Sequence, residues 1–215
     1  DPKLKQYLEE FDPINPVDTV EPRSPNETKK LIYVSLGTIF NNNVFVFDQI
    51  IQAVKIINSD NYRFIVSLGK ITYEKFQNKI KNEGYFVPDN MCLLPSAPQI
   101  DILKRASLFI THAGQNSASE TIHYGVPVIC IPLNADQPLV AKRLTKELNL
   151  GKMFDPFYGE LNSRDLSKAI EDVLNDPSYL ERTLKLTKLS RSYNGNANGA
   201  KEIVNFLNEE EKKVN

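Results

Sequence analysis

The stretch Ser96–Gln137, SAPQIDILKRASLFITHAGQNSASETIHYGVPVICIPLNADQ, decides the fold. Its two apolar runs, Ser107–Thr111 and Val128–Ile131, are too short for helices and rich in β-formers, so they read as buried strands. Between them the small-residue turn His112-Ala113-Gly114-Gln115-Asn116-Ser117 opens a segment that runs to Tyr124 and closes on Gly125. The result is a strand, turn, helix, strand unit. At the carboxyl end of such a strand, the backbone N–H groups that open the helix form an anion site.

Outward from this unit the same alternation continues. Leu31–Leu36, Tyr62–Ser67, Met91–Leu94 and Gly151–Phe154 read as further strands, the last at the sheet edge. Phe47, Ile50, Ile51, Val54 and Ile57 recur at helical spacing, and Tyr73–Glu83 is a helix with a lysine-rich solvated face. Pro138–Leu148 is helical, with Leu139, Ala141, Leu144 and Leu148 as candidates for its inner face. Arg164–Asn175 follows, capped by Asn162 or Ser163, then a helix from Pro177 and a charged last helix from Ala200 to Lys213. The pattern predicts an α/β, doubly wound, Rossmann-like parallel sheet of about six strands with flanking helices.

At 215 residues the chain is long enough for one domain with a good core. Its 27 acidic and 26 basic residues nearly cancel, so no basic field recommends nucleic acid as a partner. Cys92 and Cys130 fall in apolar runs without metal-ligand spacing and read as buried reduced thiols. The longest apolar runs stay far below the roughly 18 residues of a membrane span, and no signal peptide opens the chain, so it is expected to be soluble as given.

Residues 1–30 divide into a short helix, with Leu4, Tyr7, Leu8 and Phe11 on one face, and a proline-bearing linker, Asp12–Lys30. The linker carries a sequon at Asn26, a pattern that also arises by chance. Residues 31–206 form the expected binding domain, and 207–215 a charged tail.

The central stretch resembles the donor-binding signature of the inverting UDP-glycosyltransferases. The matching residues are Pro98-Gln99, Ile102-Leu103, Phe109, His112, Gly114, Asn116-Ser117, Glu120, Gly125, Pro127, Pro132 and Asp136-Gln137. The looser likeness runs from Leu31 to Phe206 and implies the carboxy-terminal half of a GT-B fold, which binds a UDP-sugar. The resemblance further implies hexosyl transfer to a small-molecule hydroxyl. The acceptor site and the catalytic base, a histidine, would lie in an amino-terminal domain, so this chain alone is expected to be inactive. It implies a cytoplasmic protein, or one of the endoplasmic reticulum lumen if the whole protein is of the membrane-anchored animal type. No membrane contact by this fragment, no metal and no other cofactor are expected. An alternative is a stand-alone nucleotide-sugar-binding subunit that needs a membrane partner for N-acetylglucosaminyl transfer.

Each candidate site residue has a chemical reason and a plainer rival. Gly37 can bring backbone close to a phosphate and Thr38 can donate a hydroxyl; an ordinary tight turn would use the same pair. His112 resembles the histidine that meets the diphosphate and offsets charge on the departing UDP; its rival is a capped core histidine. Gly114, Asn116 and Ser117 complete the anion turn, or simply cap a helix. Glu120 resembles the glutamate that accepts both ribose hydroxyls, against an exposed helix glutamate. Asp136 and Gln137 resemble the pair that hydrogen-bonds the sugar, although Asp136 is also a sound N-cap.

One departure stands out. Where the family usually has a tryptophan that stacks on uracil, this chain has Ser96, and it contains no tryptophan at all. A lost stacking contact of about 1–3 kcal/mol predicts UDP binding about tenfold or more weaker, or relaxed base specificity. The backbone near Ala97 and the side chain of Gln99 remain to read the pyrimidine edge.

Overall fold

The computed structural model describes residues 1–11, 29–38 and 42–214; most of the linker, including Asn26, lies outside them. A six-stranded parallel sheet runs in the order β3-β2-β1-β4-β5-β6. Its strands are β1 (Lys30–Ser35), β2 (Tyr62–Ser67), β3 (Met91–Leu94), β4 (Leu108–Thr111), β5 (Val128–Cys130) and β6 (Gly151–Met153). The helices are α1 (Pro2–Glu9), α2 (Val44–Ile57), α3 (Lys70–Glu83), α4 (Gln99–Leu103), α5 (Gln115–Tyr124), α6 (Gln137–Lys142), α7 (Ser163–Asn175), α8 (Pro177–Ser192) and α9 (Gly195–Val214). The strand order reverses between β1 and β4, which pair Ile32 with Leu108 and Ser35 with Thr111. This is the expected doubly wound, Rossmann-like architecture.

Alternation along the strands builds two cores. Ile32, Val34, Phe64, Val66, Leu108 and Ile110 face α2 and α7, where Phe47, Ile50, Leu166 and Ile170 close the layer. Leu31, Tyr33, Ile65, Phe109, Val128 and Cys130 face the other way, against Ile102 and Leu103 of α4, Ala118 of α5 and Ala141 of α6. Strands buried on both faces have no solvent side, so their sequences are apolar without a polar alternation. Cys92 and Cys130 are free and buried, and burial pushes both thiols up.

Helix α1 docks on the second core: Tyr7 and Phe11 are buried, and the Tyr7 hydroxyl donates to the Asp89 carbonyl at 2.9 Å. Leu139 departs from expectation. It is 74% exposed while Ala141 and Leu144 are buried. Residues two apart lie on roughly opposite sides of a helix, so one face cannot hold both Leu139 and Ala141. The helix also switches to π winding over Arg143–Glu147, which shifts the buried face for Leu144 and Leu148. Helix α4, absent from the sequence reading, is a short turn that starts at the Pro98-Gln99 pair.

Candidate functional site

The carboxyl ends of β1 to β5 surround a cleft of about 570 Å³ at the point where the strand order reverses. Open α/β sheets bind ligands there, because successive loops diverge and leave a crevice. Its walls include Gly37 and Thr38 after β1, Ser67 at the end of β2 with Gly69 beyond it, Pro95, Ser96, Ala97 and Gln99 after β3, His112, Gly114, Asn116, Ser117 and Glu120 after β4, and Asp136 after β5.

The helix starts divide by what they face. Helices α1, α2, α7 and α8 open on Asp1, Asn43, Asn162 and Asp176, whose side chains accept from first-turn amides. Helices α3, α4, α5 and α6 have no side-chain cap. All four begin at the cleft, with Gly69, Gln99, Gly114 and Asp136 among its walls. Their amides and dipoles therefore favour negative charge in the crevice.

His112 sits between two glycine backbones. A Cβ on Gly37 would stand 2.6 Å from its Nε2, and one on Gly114 would stand 2.5 Å away, so neither position tolerates a side chain while the ring stays in place. The ring follows a backbone kink: Ala113 has φ +62° and its N–H donates to Thr111 Oγ1 at 3.2 Å. Such a φ costs an alanine about 1–2 kcal/mol. Burial lowers the His112 pKa below its ordinary value; the neighbouring Ser35 backbone and the Asp136 charge oppose that shift. Nδ1 is buried beside that backbone without a hydrogen bond of good geometry.

Glu120 and Gln99 form a second cluster. Gln99 Nε2 donates to Glu120 Oε2 at 2.5 Å and reaches Ser117 Oγ at 3.5 Å, while Tyr33 donates its hydroxyl to Gln99 Oε1 at 3.3 Å. Asp136 is exposed on the far rim, after a second alanine at positive φ, Ala135 (φ +55°). Gln137 stands apart from the cleft walls: it is 5% exposed, and its Oε1 accepts from Leu133 N at 2.7 Å and Asn134 N at 3.0 Å. That oxygen braces the turn that carries Asp136. The sequence reading did not find Tyr33, Ser35, Ser67 or Gln115, which also line the cleft. Ser35 and Ser67 end their strands, so position at the carboxyl edge was the available signal.

With this geometry in view, comparisons with known proteins agree. Residues 53–193 match the family model described as UDP-glucoronosyl and UDP-glucosyl transferase. The chain belongs to the UDP-glycosyltransferase family. It is 31% identical over 189 residues to an uncharacterized UDP-glucosyltransferase, YojK of Bacillus subtilis, covering 88% of this chain and 44% of that protein. Among solved structures it is similar to the glycotransferase of kitacinnamycin, with a TM-score of 0.70 and 21% identity over 88% of this chain and 46% of that one. It is also similar to Os79 from O. sativa in complex with UDP, with a TM-score of 0.65 and 22% identity over 86% of this chain and 38% of that one. The chain thus spans less than half the length of each of these proteins. Among the described residues, no helix is long and apolar enough to cross a membrane.

Proposed function

We propose that the chain is the donor-binding half of a UDP-glycosyltransferase and holds a UDP-sugar for inverting transfer of a hexose to a small-molecule hydroxyl. The observation that carries this reading is the cleft itself, where four uncapped helix starts, a glycine-flanked histidine and a carboxylate meet at the sheet's switch point. A nucleoside diphosphate sugar presents an anion, a diol and a polyol. The uncapped amides of α5 with Gly37, Thr38, Asn116, Ser117 and His112 suit the diphosphate. Glu120 suits the ribose diol, and Asp136 on its Gln137-braced turn suits the sugar. Ser96 and Ala97 remain for the base, with Gln99 beside them joined to Glu120.

In transfer the glycosidic bond to UDP breaks as the acceptor oxygen attacks, and negative charge grows on the departing diphosphate. His112 and the helix amides offset that charge, which makes this histidine a leaving-group stabiliser rather than the base. The base and the acceptor pocket belong to an amino-terminal domain, in keeping with a chain that covers less than half of its relatives' length. The helix dipoles also take the part a diphosphate-bridging cation would play, so no metal is required.

Isothermal calorimetry of this chain with UDP tests the reading. Saturable binding of UDP, unchanged between EDTA and magnesium, is expected. An absence of UDP binding would overturn the donor assignment, and binding only with a divalent ion would overturn its metal independence.

A further inference from the structure

Tyr33 lies in the middle of β1, 1% exposed, with its ring stacked on Phe109 at a centroid distance of 5.0 Å. Only its hydroxyl reaches a polar neighbourhood, and there it contributes to the wall of the cleft and donates to Gln99 Oε1. A side-chain amide has a donor end and an acceptor end of nearly the same shape, so its neighbours must decide which way it points. Glu120, an acceptor-only carboxylate, takes the NH2 end at 2.5 Å. Tyr33, a donor at 3.3 Å, takes the carbonyl end. The reversed amide would set its oxygen against the carboxylate. Burial, reinforced by the Glu120 charge and opposed by the Ser35 and Ser67 hydroxyls, pushes the phenol up to about 12, so it keeps its proton at physiological pH.

We infer that Tyr33 is a positioning residue for ribose recognition: through Gln99 it fixes the Glu120 carboxylate in the orientation that accepts the ribose hydroxyls. This rests on the donor-site reading above. Tyr33 touches no ribose hydroxyl itself; it acts through one amide whose orientation it selects. Without it, Gln99 keeps only the carboxylate and the 3.5 Å contact to Ser117, and the carboxylate loses a partner of fixed direction.

The test compares UDP with 2′-deoxy-UDP by calorimetry on this chain, as wild type, Tyr33→Phe, Gln99→Leu and the double variant. The wild type is expected to prefer UDP by about tenfold, the worth of a hydrogen bond to a charged acceptor. Tyr33→Phe, with the stack on Phe109 kept, is expected to cut that preference by about threefold or more, and adding it to Gln99→Leu should change nothing further. A Tyr33→Phe protein that folds and keeps the full preference overturns the inference, as do effects of the two variants that simply multiply. If Tyr33→Phe does not fold, Gln99→Leu decides, since Gln99 lies at the cleft surface; an unchanged preference there overturns the inference. A wild type that binds UDP without preferring it to the deoxy form overturns the inference alone, whereas a wild type that binds no UDP overturns the donor reading beneath it.

Discussion

The imidazole of His112 occupies the space that a side chain on Gly37 would need, since a Cβ there would stand 2.6 Å from Nε2. A Cβ on Gly114 would come as close, 2.5 Å from the same atom, yet the two glycines differ in backbone: Gly37 has φ +80°, whereas Gly114 is extended at φ −64°, ψ 152°. Alanine at either position must push the ring away. Only Gly37→Ala also forces a side chain into the left-handed region, at a cost of about 1–2 kcal/mol. Both variants are therefore expected to weaken UDP binding by about tenfold, the worth of one hydrogen bond to a charged group, while only Gly37→Ala lowers the melting temperature, by about 2–8 °C. Gly114→Ala protein that bound UDP as tightly as the wild type would show that the ring does not meet the ligand.

How far the sequence led depends on what each residue must satisfy. The strands were legible because a parallel sheet covered on both faces needs unbroken apolar runs, and Leu31–Val34, Phe64–Val66 and Val128–Ile131 are such runs. Helix α4 was hidden because five residues show no period, and Leu139 was misplaced by following leucines instead of angle. In the site, His112, Gly114 and Glu120 stood out through their order along one stretch. Tyr33 did not show its place, since its hydroxyl meets Gln99, which only the fold brings near, while Gln137 turns back onto the amides of Leu133 and Asn134 in its own turn, a local geometry that the residue type does not reveal. A tyrosine inside an apolar strand is nonetheless a hint, because its buried hydroxyl requires a partner.

The histidines predict a pH dependence. Burial lowers the pKa of His112, and burial together with Arg191 lowers that of His123. Above the ordinary histidine value of about 6.5 both rings are neutral in folded and unfolded chains, so they impose no penalty. As pH falls through that value the unfolded chain takes up protons first, and stability declines until the folded-state values are passed. A bound diphosphate reverses the preference at His112, because negative charge favours the imidazolium. Binding of UDP-glucose, whose diphosphate is a diester with no group titrating near pH 6, is thus expected at about pH 6 to take up a proton, seen as a calorimetric enthalpy that varies with the ionisation heat of the buffer. The uptake should persist in His123→Gln and vanish in His112→Gln. Uptake that survived the loss of His112 would place the titrating group elsewhere.

Ser96 is exposed on the cleft wall between Pro95 and Ala97, and among the described residues the tyrosine of that wall, Tyr33, has its ring buried against Phe109. Ser96→Trp is expected to tighten UDP by about 1 kcal/mol or more, the value of one base–ring stack. The gain should extend to other nucleoside diphosphates, since every base has a face to stack. An unchanged dissociation constant in a folded variant would mean that the base lies away from residue 96.

Glu120 and Asp136 separate binding from turnover. Each carboxylate faces the cleft and would accept hydrogen bonds from hydroxyls already present in the ground state of the donor, so each loss costs about 1.5–3 kcal/mol of binding. Chemistry has a further requirement. A hydroxyl acceptor must lose its proton to a base within hydrogen-bond reach and be held in line with the breaking bond. His123, the one other histidine, is exposed on α5 and is not among the cleft walls, and in the proposed arrangement His112 is taken by the diphosphate. The chain alone is therefore expected to bind UDP-glucose without glycosylating a simple phenol, and supplying an amino-terminal domain, fused or in trans, is expected to restore transfer. In that restored enzyme Glu120→Ala should raise the donor KM more than it lowers kcat, the signature of an interaction made equally in the ground and transition states. Glucosylated phenol formed by the 215-residue chain alone would place the base within it, and His112 would then be the residue to test for that role.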